Sequence, residues 1–312
     1  MPYSNGRIGT RAFGFEAEFY GMDQWSAVEE LRRRGYQADD DGYHHRAVPY
    51  WRITEDGSVS GEGCELVSPV LNGRLKTDMD NARGVLNVLA HAGGVVNRTC
   101  GLHVHHNLGG KTVEDIAETV AHWALFQGII NRILPASRWD GEYCAGMYDP
   151  DNWYQSIVHS SRGGNTARHI YGRSFGRYHA INLNAIDDHG TLEYRQHSGT
   201  LNGDKLEHWV RFTRAMHDVS RIGSYQMLLN IYGDVPTVRD EMSVLDMMRY
   251  LRLPRDTQTF YVNRAEALRR NGDDENADEY PEPEHMYHDD DYDEQGQIWC
   301  SNCGEYHFDD VM

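Results

Sequence analysis

Glu16 and Glu18 alternate with apolar residues in Ala12-Phe13-Gly14-Phe15-Glu16-Ala17-Glu18-Phe19-Tyr20, and no other feature constrains the fold of this chain as much. Strand side chains alternate faces with a period of two. Phe13, Phe15, Ala17 and Phe19 therefore share one face, and Glu16 and Glu18 share the other. Two carboxylates so close on one surface repel unless a cation lies between them. Hard divalent cations such as Mg²⁺ take oxygen ligands of this kind. A solvated strand face is the ordinary explanation of a lone Glu-x-Glu, but three later segments repeat the geometry.

In Gly101-Leu102-His103-Val104-His105-His106 a strand puts His103 and His105 on one face. In Gly190-Thr191-Leu192-Glu193-Tyr194-Arg195 it does the same for Glu193 and Arg195. Gly63-Cys64-Glu65-Leu66-Val67-Ser68-Pro69 is a short apolar strand with a single acid, stopped by proline. Together these segments describe a sheet with one apolar face and one face of carboxylates, imidazoles and guanidinium groups. Carboxylates with an imidazole suit Mg²⁺ or Mn²⁺, and the arginine fork matches phosphate oxygens. A carboxylate-bound metal facing arginines is what transfer of a terminal phosphoryl group needs. No Gly-x-x-x-x-Gly-Lys-Ser/Thr loop occurs, so metal and arginine would have to hold any nucleotide.

The coarse pattern predicts an α+β fold with an antiparallel sheet. Asp23 caps a helix running to Arg34, with Gly35 beyond it and Trp25, Val28 and Leu31 as its apolar stripe. Further helices are predicted over about 77–91, from Thr112 towards Leu134, and over about 203–219. Residues 246–269 form a helical end. The stretch from Pro135 to Arg177 lacks periodicity and reads as long loops, where Arg162, Arg168 and Arg173 are candidates to meet an anionic substrate.

In order along the chain, Gly14-Phe15-Glu16-Ala17-Glu18, Asp56-Gly57-Ser58, Glu65-Leu66-Val67-Ser68-Pro69, Gly101-Leu102-His103-Val104-His105, Arg177-Tyr178-His179-Ala180-Ile181-Asn182-Leu183 and Thr191-Leu192-Glu193-Tyr194-Arg195 resemble the amidoligases. These belong to the carboxylate–amine ligase and glutamine synthetase superfamily. The resemblance covers roughly residues 10 to 270. It implies a glutamine-synthetase-like sheet with helices on one face and an open active-site face. It also implies a two-step reaction, in which ATP phosphorylates a carboxylate and an amine displaces phosphate to leave an amide.

The same resemblance implies a role for each matching residue. Glu16, Glu18, Glu65, His103 and Glu193 would be ligands of Mg²⁺ or Mn²⁺. His105 would sit near the nucleotide phosphates. Arg195 would face the transferred phosphate and Arg177 would steady the developing charge, so both belong to the nucleotide site and to catalysis. Asp56 is a candidate to orient or deprotonate the amine. Asn182 and Asn184 share a strand face and fit either substrate binding or a structural hydrogen bond, whereas His106, His179 and His197 suit structural positions. Two other classes remain open: a zinc-dependent hydrolase using His103 and His105, and a non-catalytic binding or scaffold protein on the same fold.

Composition sets the remaining expectations. Residues 271–312 hold 15 of the 48 acidic residues and none of the 30 lysines and arginines. This predicts a catalytic domain over 1–270 and an acidic tail over 271–312, partly disordered and suited to solubility or to docking a basic partner. The tail's sign is wrong for nucleic acid. Trp299-Cys300-Ser301-Asn302-Cys303-Gly304-Glu305-Tyr306-His307 carries a Cys-x-x-Cys that suits either a structural zinc site, with His307 as a further ligand, or a free dithiol. Five scattered cysteines do not make a disulfide framework. With no apolar run of membrane length and no signal-peptide core, the expectation is a cytoplasmic enzyme without a membrane partner.

Overall fold

A computed structural model describes residues 12–271, apart from 41, 43–46, 58, 60–62 and 73–75, together with the backbone of 297–300 and 305–308. The chain divides into two compact units, 1–275 and 276–312.

The first unit is a mixed α+β structure. Its strands are β1 (Ala12–Phe19), β2 (Ala38–Asp39), β3 (Trp51–Glu55), β4 (Cys64–Val67), β5 (Leu71–Asn72), β6 (Gly101–Asn107), β7 (Ile181–Asn182) and β8 (Thr191–Ser198). They form one open sheet in the order β2-β3-β4-β1-β6-β8-β7, with β5 beside the start of β1. Every pairing is antiparallel except the parallel contact of β2 with β3. The helices are α1 (Gln24–Arg33), α2 (Lys76–His91), α3 (Val113–Ile130), α4 (Pro150–His159), α5 (Ala185–His189), α6 (Gly203–His217), α7 (Tyr225–Tyr232), α8 (Val235–Glu241), α9 (Val244–Tyr250) and α10 (Arg255–Asn271).

Alternation in the strands produces the core. Phe13, Phe15 and Phe19 of β1, Leu66 of β4, Leu102 and Val104 of β6, and Leu192 and Tyr194 of β8 are buried in one cluster. The same cluster takes in Val28 and Leu31 of α1, Val85 and Leu89 of α2, Ile116 and Trp123 of α3, and Leu206 and Trp209 of α6. His106 faces these helices, with its Nε2 2.9 Å from Thr213 Oγ1. The ring of His197 packs on Trp209 and that of His179 on Trp153. Between β6 and β8 the register shifts: Leu102 lies opposite His197 but Val104 opposite Tyr194, so β8 carries an extra residue. Such a bulge re-aims side chains locally, and beyond it Glu193 stands opposite His105.

The helix starts follow their caps. Asp23 accepts from the Ser26 amide at 2.9 Å, and Gly35, at φ +86°, takes the left-handed turn that ends the segment. Thr112 and Asp115 form a reciprocal capping box for α3. Thr112→Ala should cost about 1 kcal/mol, read as a melting temperature lower by about 2–4 °C.

Three expectations need correction. Trp25 is 66% exposed and Ala27 takes its place beside Val28 and Leu31, because the first turn of α1 carries Trp25 away from the sheet. The third helix ends as α-helix at Ile130 and tightens into a 3₁₀ turn over Asn131–Ile133 before Pro135. The stretch 135–177 is not all loop, since α4 lies within it and is capped by Asp149 with Pro150 in its first turn.

In the second unit β9 (Gln297–Cys300) pairs antiparallel with β10 (Glu305–Phe308), so Cys300 lies opposite Glu305 and Ile298 opposite His307. Cys303 and the side chains of Cys300 and His307 fall outside what is described, as does Ser58. Among the described residues no helix is long and apolar enough to cross a membrane.

Candidate active site

Strand register brings the polar residues together on the face away from the core. Glu65 stands opposite Thr54 on one side and Glu18 on the other. Glu16 stands opposite His103. His105 and Asn182 flank Glu193. Six strands, β1, β3, β4, β6, β7 and β8, thus supply one surface, and its polar residues are held by the same alternation that buries the phenylalanines.

The side chains are close enough to act on one another. His103 Nδ1 lies 3.4 Å from Glu16 Oε2 and 3.7 Å from Glu193 Oε1, and its Nε2 lies 3.6 Å from Glu18 Oε1. His105 Nε2 lies 3.5 Å from Glu16 Oε1 and 4.0 Å from Glu193 Oε1, while its Nδ1 meets Thr191 Oγ1 at 3.1 Å. The Gly101 amide donates to Glu18 Oε2 at 2.6 Å. Asn182 Nδ2 donates to Glu193 Oε2 at 2.6 Å, and Arg195 Nη1 pairs with the other oxygen of Glu193. Arg195 Nε also donates to the Tyr143 carbonyl at 3.2 Å. Arg177 is exposed, with its guanidinium over the Tyr178 ring at 5.3 Å.

Charge is unevenly shared among these groups. Burial raises the Glu16 carboxyl, but His105 and His103 outweigh it and hold it well below the usual carboxylate range. Burial also raises Glu193, against which Arg195 and then His105 prevail, so it too is lowered. Burial lowers His105, yet Glu193 and Glu16 leave it raised. Glu65 goes the other way: burial first, then repulsion from Glu16, Glu18, Asp56 and Glu193, pushes it well above the usual range.

Three overlapping groups place ligand atoms within 4.8 Å of one another: Glu16, Glu65 and His103; Glu16, His105 and Glu193; and Glu18, Asp56 and Glu65. Glu16 belongs to two of them. Asp56 and His105, expected beside the amine and the phosphates, therefore also stand within the carboxylate cluster. The donor set of oxygens with one or two imidazoles fits Mg²⁺ or Mn²⁺. His105 Nε2 is buried and faces the carboxylates of Glu16 and Glu193.

All these residues, with Asn184, line one cleft of about 420 Å³. Its polarity follows strand order: Glu55, Asp56, Glu65 and Glu18 lie towards β3, and Arg195 and Arg177 towards β8 and β7. A neighbouring cavity of about 350 Å³ shares Glu16, His105, Asp188 and His189 with the cleft. Its further walls include Val48, Val67 and Val70, with Arg52 and Asn107. Of the loop arginines, Arg173 pairs with Asp188 at 2.5 Å and Arg162 stacks on Tyr171, and neither they nor Arg168 line the cleft.

The sequence reading missed Arg52, Glu55, Tyr143, Asp188 and His189 as lining residues. A signal existed for Arg52, because Trp51-Arg52-Ile53-Thr54 alternates as β1 does, and Arg52 and Thr54 share the polar face. Nothing local marks Tyr143, Asp188 or His189, which reach the cleft from non-strand segments.

A model of the family described as "Putative amidoligase enzyme" matches residues 9–217, a span that holds all eight strands of the sheet and ends with α6. A comparison with curated proteins finds no match. The matched span contains every cleft-lining strand and loop, and it makes this chain a member of the amidoligase family.

Proposed function

We propose that the protein is an ATP-dependent carboxylate–amine ligase built on a glutamine-synthetase-like sheet and acting through an acyl phosphate. The observation that carries this reading is one cleft with a carboxylate–imidazole cluster at its centre, arginines at one end and acids at the other. Glu16, Glu18, Glu65, His103 and Glu193 would hold Mg²⁺ or Mn²⁺, with His105 and Asp56 adjoining. When bound, such ions neutralise phosphate charge and polarise the transferred phosphoryl group.

The chain's own residues supply the rest. Arg195, fixed by Glu193 and the Tyr143 carbonyl, offers a preorganised positive charge to the phosphoryl oxygens. Arg177 adds a second charge from an exposed position. The cavity beside Glu16 and His105, with its valine walls, suits the base and ribose of the nucleotide, which puts the terminal phosphate in the cleft. A carboxylate oxygen of the acid attacks the γ-phosphorus and ADP leaves. The ammonium gives one proton to Asp56, the free amine attacks the acyl carbon, and the carboxylate's former oxygen departs with phosphate, which carries off the nitrogen's second proton. The acidic end near Glu55 and Asp56 suits an amine that arrives as a cation.

A zinc hydrolase would not need the arginine pair and would face more carboxylates than catalytic zinc takes. ADP release over a matrix of acids and amines with Mg²⁺ or Mn²⁺, with mass spectrometry of products, tests the proposal. ADP should form only when both an acid and an amine are present, and the product mass should be their sum less one water. Turnover without nucleotide would contradict it.

Glu65 gives the proposal a pH signature. Its raised carboxyl binds a proton more tightly folded than unfolded, so its stabilising effect is full at low pH and is lost as pH rises through the raised value. An arriving divalent ion must displace that proton, so metal affinity should rise with pH over the same range. Glu65→Gln should remove this dependence and weaken Mn²⁺ binding. At pH above the raised value it should also raise the apoprotein melting temperature, because the charged Glu65 is then the costly form. Titration calorimetry at several pH values and thermal melts without metal would check both.

A further inference from the structure

The valine-walled cavity and the cleft lie on one strip of the sheet. Along the polar face of β1, Ala12 and Gly14 line the cavity, Glu16 lines both spaces and Glu18 lines the cleft. On β6 the same series is Asn107, His105 and His103, and on β8 it is Thr191 and Glu193. Small residues give the cavity its depth: Gly14 stands opposite His105, and a Cβ there would lie 3.5 Å from Ser68 Oγ. From Ala12 to Glu18 the strip is about 20 Å long at strand spacing, enough for a base, a sugar and phosphates laid end to end.

Two residues outside the sheet also line both spaces: Asp188 and His189, at the C-terminal end of α5. They stand where the strip passes from cavity to cleft. His189 sets its ring edge-on to that of His105, with centroids 5.6 Å apart. Arg173 holds Asp188 in place: its Nη2 donates to Asp188 Oδ1 at 2.5 Å, and its amide donates to Asp187 Oδ2 at 2.9 Å. The pair takes one oxygen of Asp188 and leaves the other as an acceptor. An ionised carboxylate accepts hydrogen bonds but donates none, and it repels phosphate. The part of a nucleotide that belongs beside it is a donor, and between base and phosphates the donors are the vicinal hydroxyls of the ribose. Dinucleotide-binding folds use a carboxylate on a ribose hydroxyl in the same way.

We infer that Asp188 recognises the ribose hydroxyls of the nucleotide and makes the protein selective for ribonucleoside over deoxyribonucleoside triphosphates, with His189 walling the same side of the sugar. The inference rests on the ligase reading above for the direction of the nucleotide, with its base in the cavity and its terminal phosphate in the cleft.

Titration calorimetry of the full-length protein with Mg²⁺, and with neither acid nor amine, tests this using ATP, 2′-deoxyATP, 3′-deoxyATP and ITP in wild type, Asp188→Ala and Asp187→Ala. At least one deoxynucleotide should bind wild type about 10- to 100-fold more weakly than ATP, the weight of a hydrogen bond to a charged group. Asp188→Ala should bring the deoxynucleotides level with ATP and leave the ratio of ITP to ATP as it is in wild type. Asp187→Ala removes a carboxylate that lines neither space and should keep every wild-type ratio. The ratios are the readout because loss of a charge beside a triphosphate moves all four nucleotides together. Asp188 is exposed, and the wild-type comparison needs no variant at all. Deoxynucleotides as tight as ATP in wild type, ratios unchanged in Asp188→Ala, or a change confined to the ITP ratio would each overturn the inference. Discrimination against deoxynucleotides by a protein that never releases ADP with any acid and amine would uphold the role of Asp188 and count against the ligase reading. ADP release supported equally by ATP and both deoxynucleotides would do the reverse, and no nucleotide binding would overturn both.

Discussion

Arg195→Ala should lower ATP-dependent ligation about 10²–10³-fold, the usual weight of one preorganised charge facing a transferring group, and leave a folded protein. The fold should survive because Glu193 keeps the hydrogen bond from Asn182 and remains beside His103 and His105. Arg177→Ala should act in the same direction with no effect on folding, since that side chain is exposed on Tyr178. Steady-state ADP release alongside a circular dichroism spectrum separates loss of rate from loss of structure. Full ligation by Arg195→Ala would remove this residue from the mechanism.

The second large effect is expected at Glu16, which belongs to two of the three ligand groups and lies opposite His103 in the sheet. Groups that only support metal ligands cost about 10–100-fold in affinity when removed, and a direct ligand should cost at least the upper end of that range. Glu16→Gln should therefore bind Mn²⁺ at least about 100-fold more weakly and lose turnover with it. Both histidines would also lose an acidic neighbour. Manganese binding followed by electron paramagnetic resonance reads this directly. Unchanged affinity would put the metal elsewhere.

What the sequence reveals and what it hides divide along a physical line. Alternation is a local property, so β1, β4, β6 and β8 could be assigned a polar and an apolar face from their own residues. That Glu16 stands opposite His103, and Glu18 opposite Glu65, depends on register between strands distant in sequence, and the resemblance to a family rather than periodicity suggested their convergence. The helices α2, α3 and α6 are legible from apolar spacing, and α3 also from its acidic start at Thr112-Val113-Glu114-Asp115. Trp25 was misassigned because hydrophobicity alone does not say which way a first turn faces. In α4, Asp149-Pro150 offered a start signal that the weak periodicity of the following residues obscured. Asp188 was invisible for a deeper reason: it lies in the short helix α5, where no periodic pattern distinguishes a cleft-lining carboxylate from a solvated one.

The central claim is that the acid is activated by phosphorylation in this cleft, and following oxygen tests it most directly. An acid that supports ADP release would be supplied with ¹⁸O in both carboxylate oxygens, with unlabelled ATP, amine and water, and the released phosphate analysed by mass spectrometry. An acyl phosphate whose carbonyl carbon is attacked by the amine must deliver one ¹⁸O to each phosphate and keep the other in the amide. Phosphate without ¹⁸O, or phosphate labelled instead when the ¹⁸O is supplied in the water, would contradict the account.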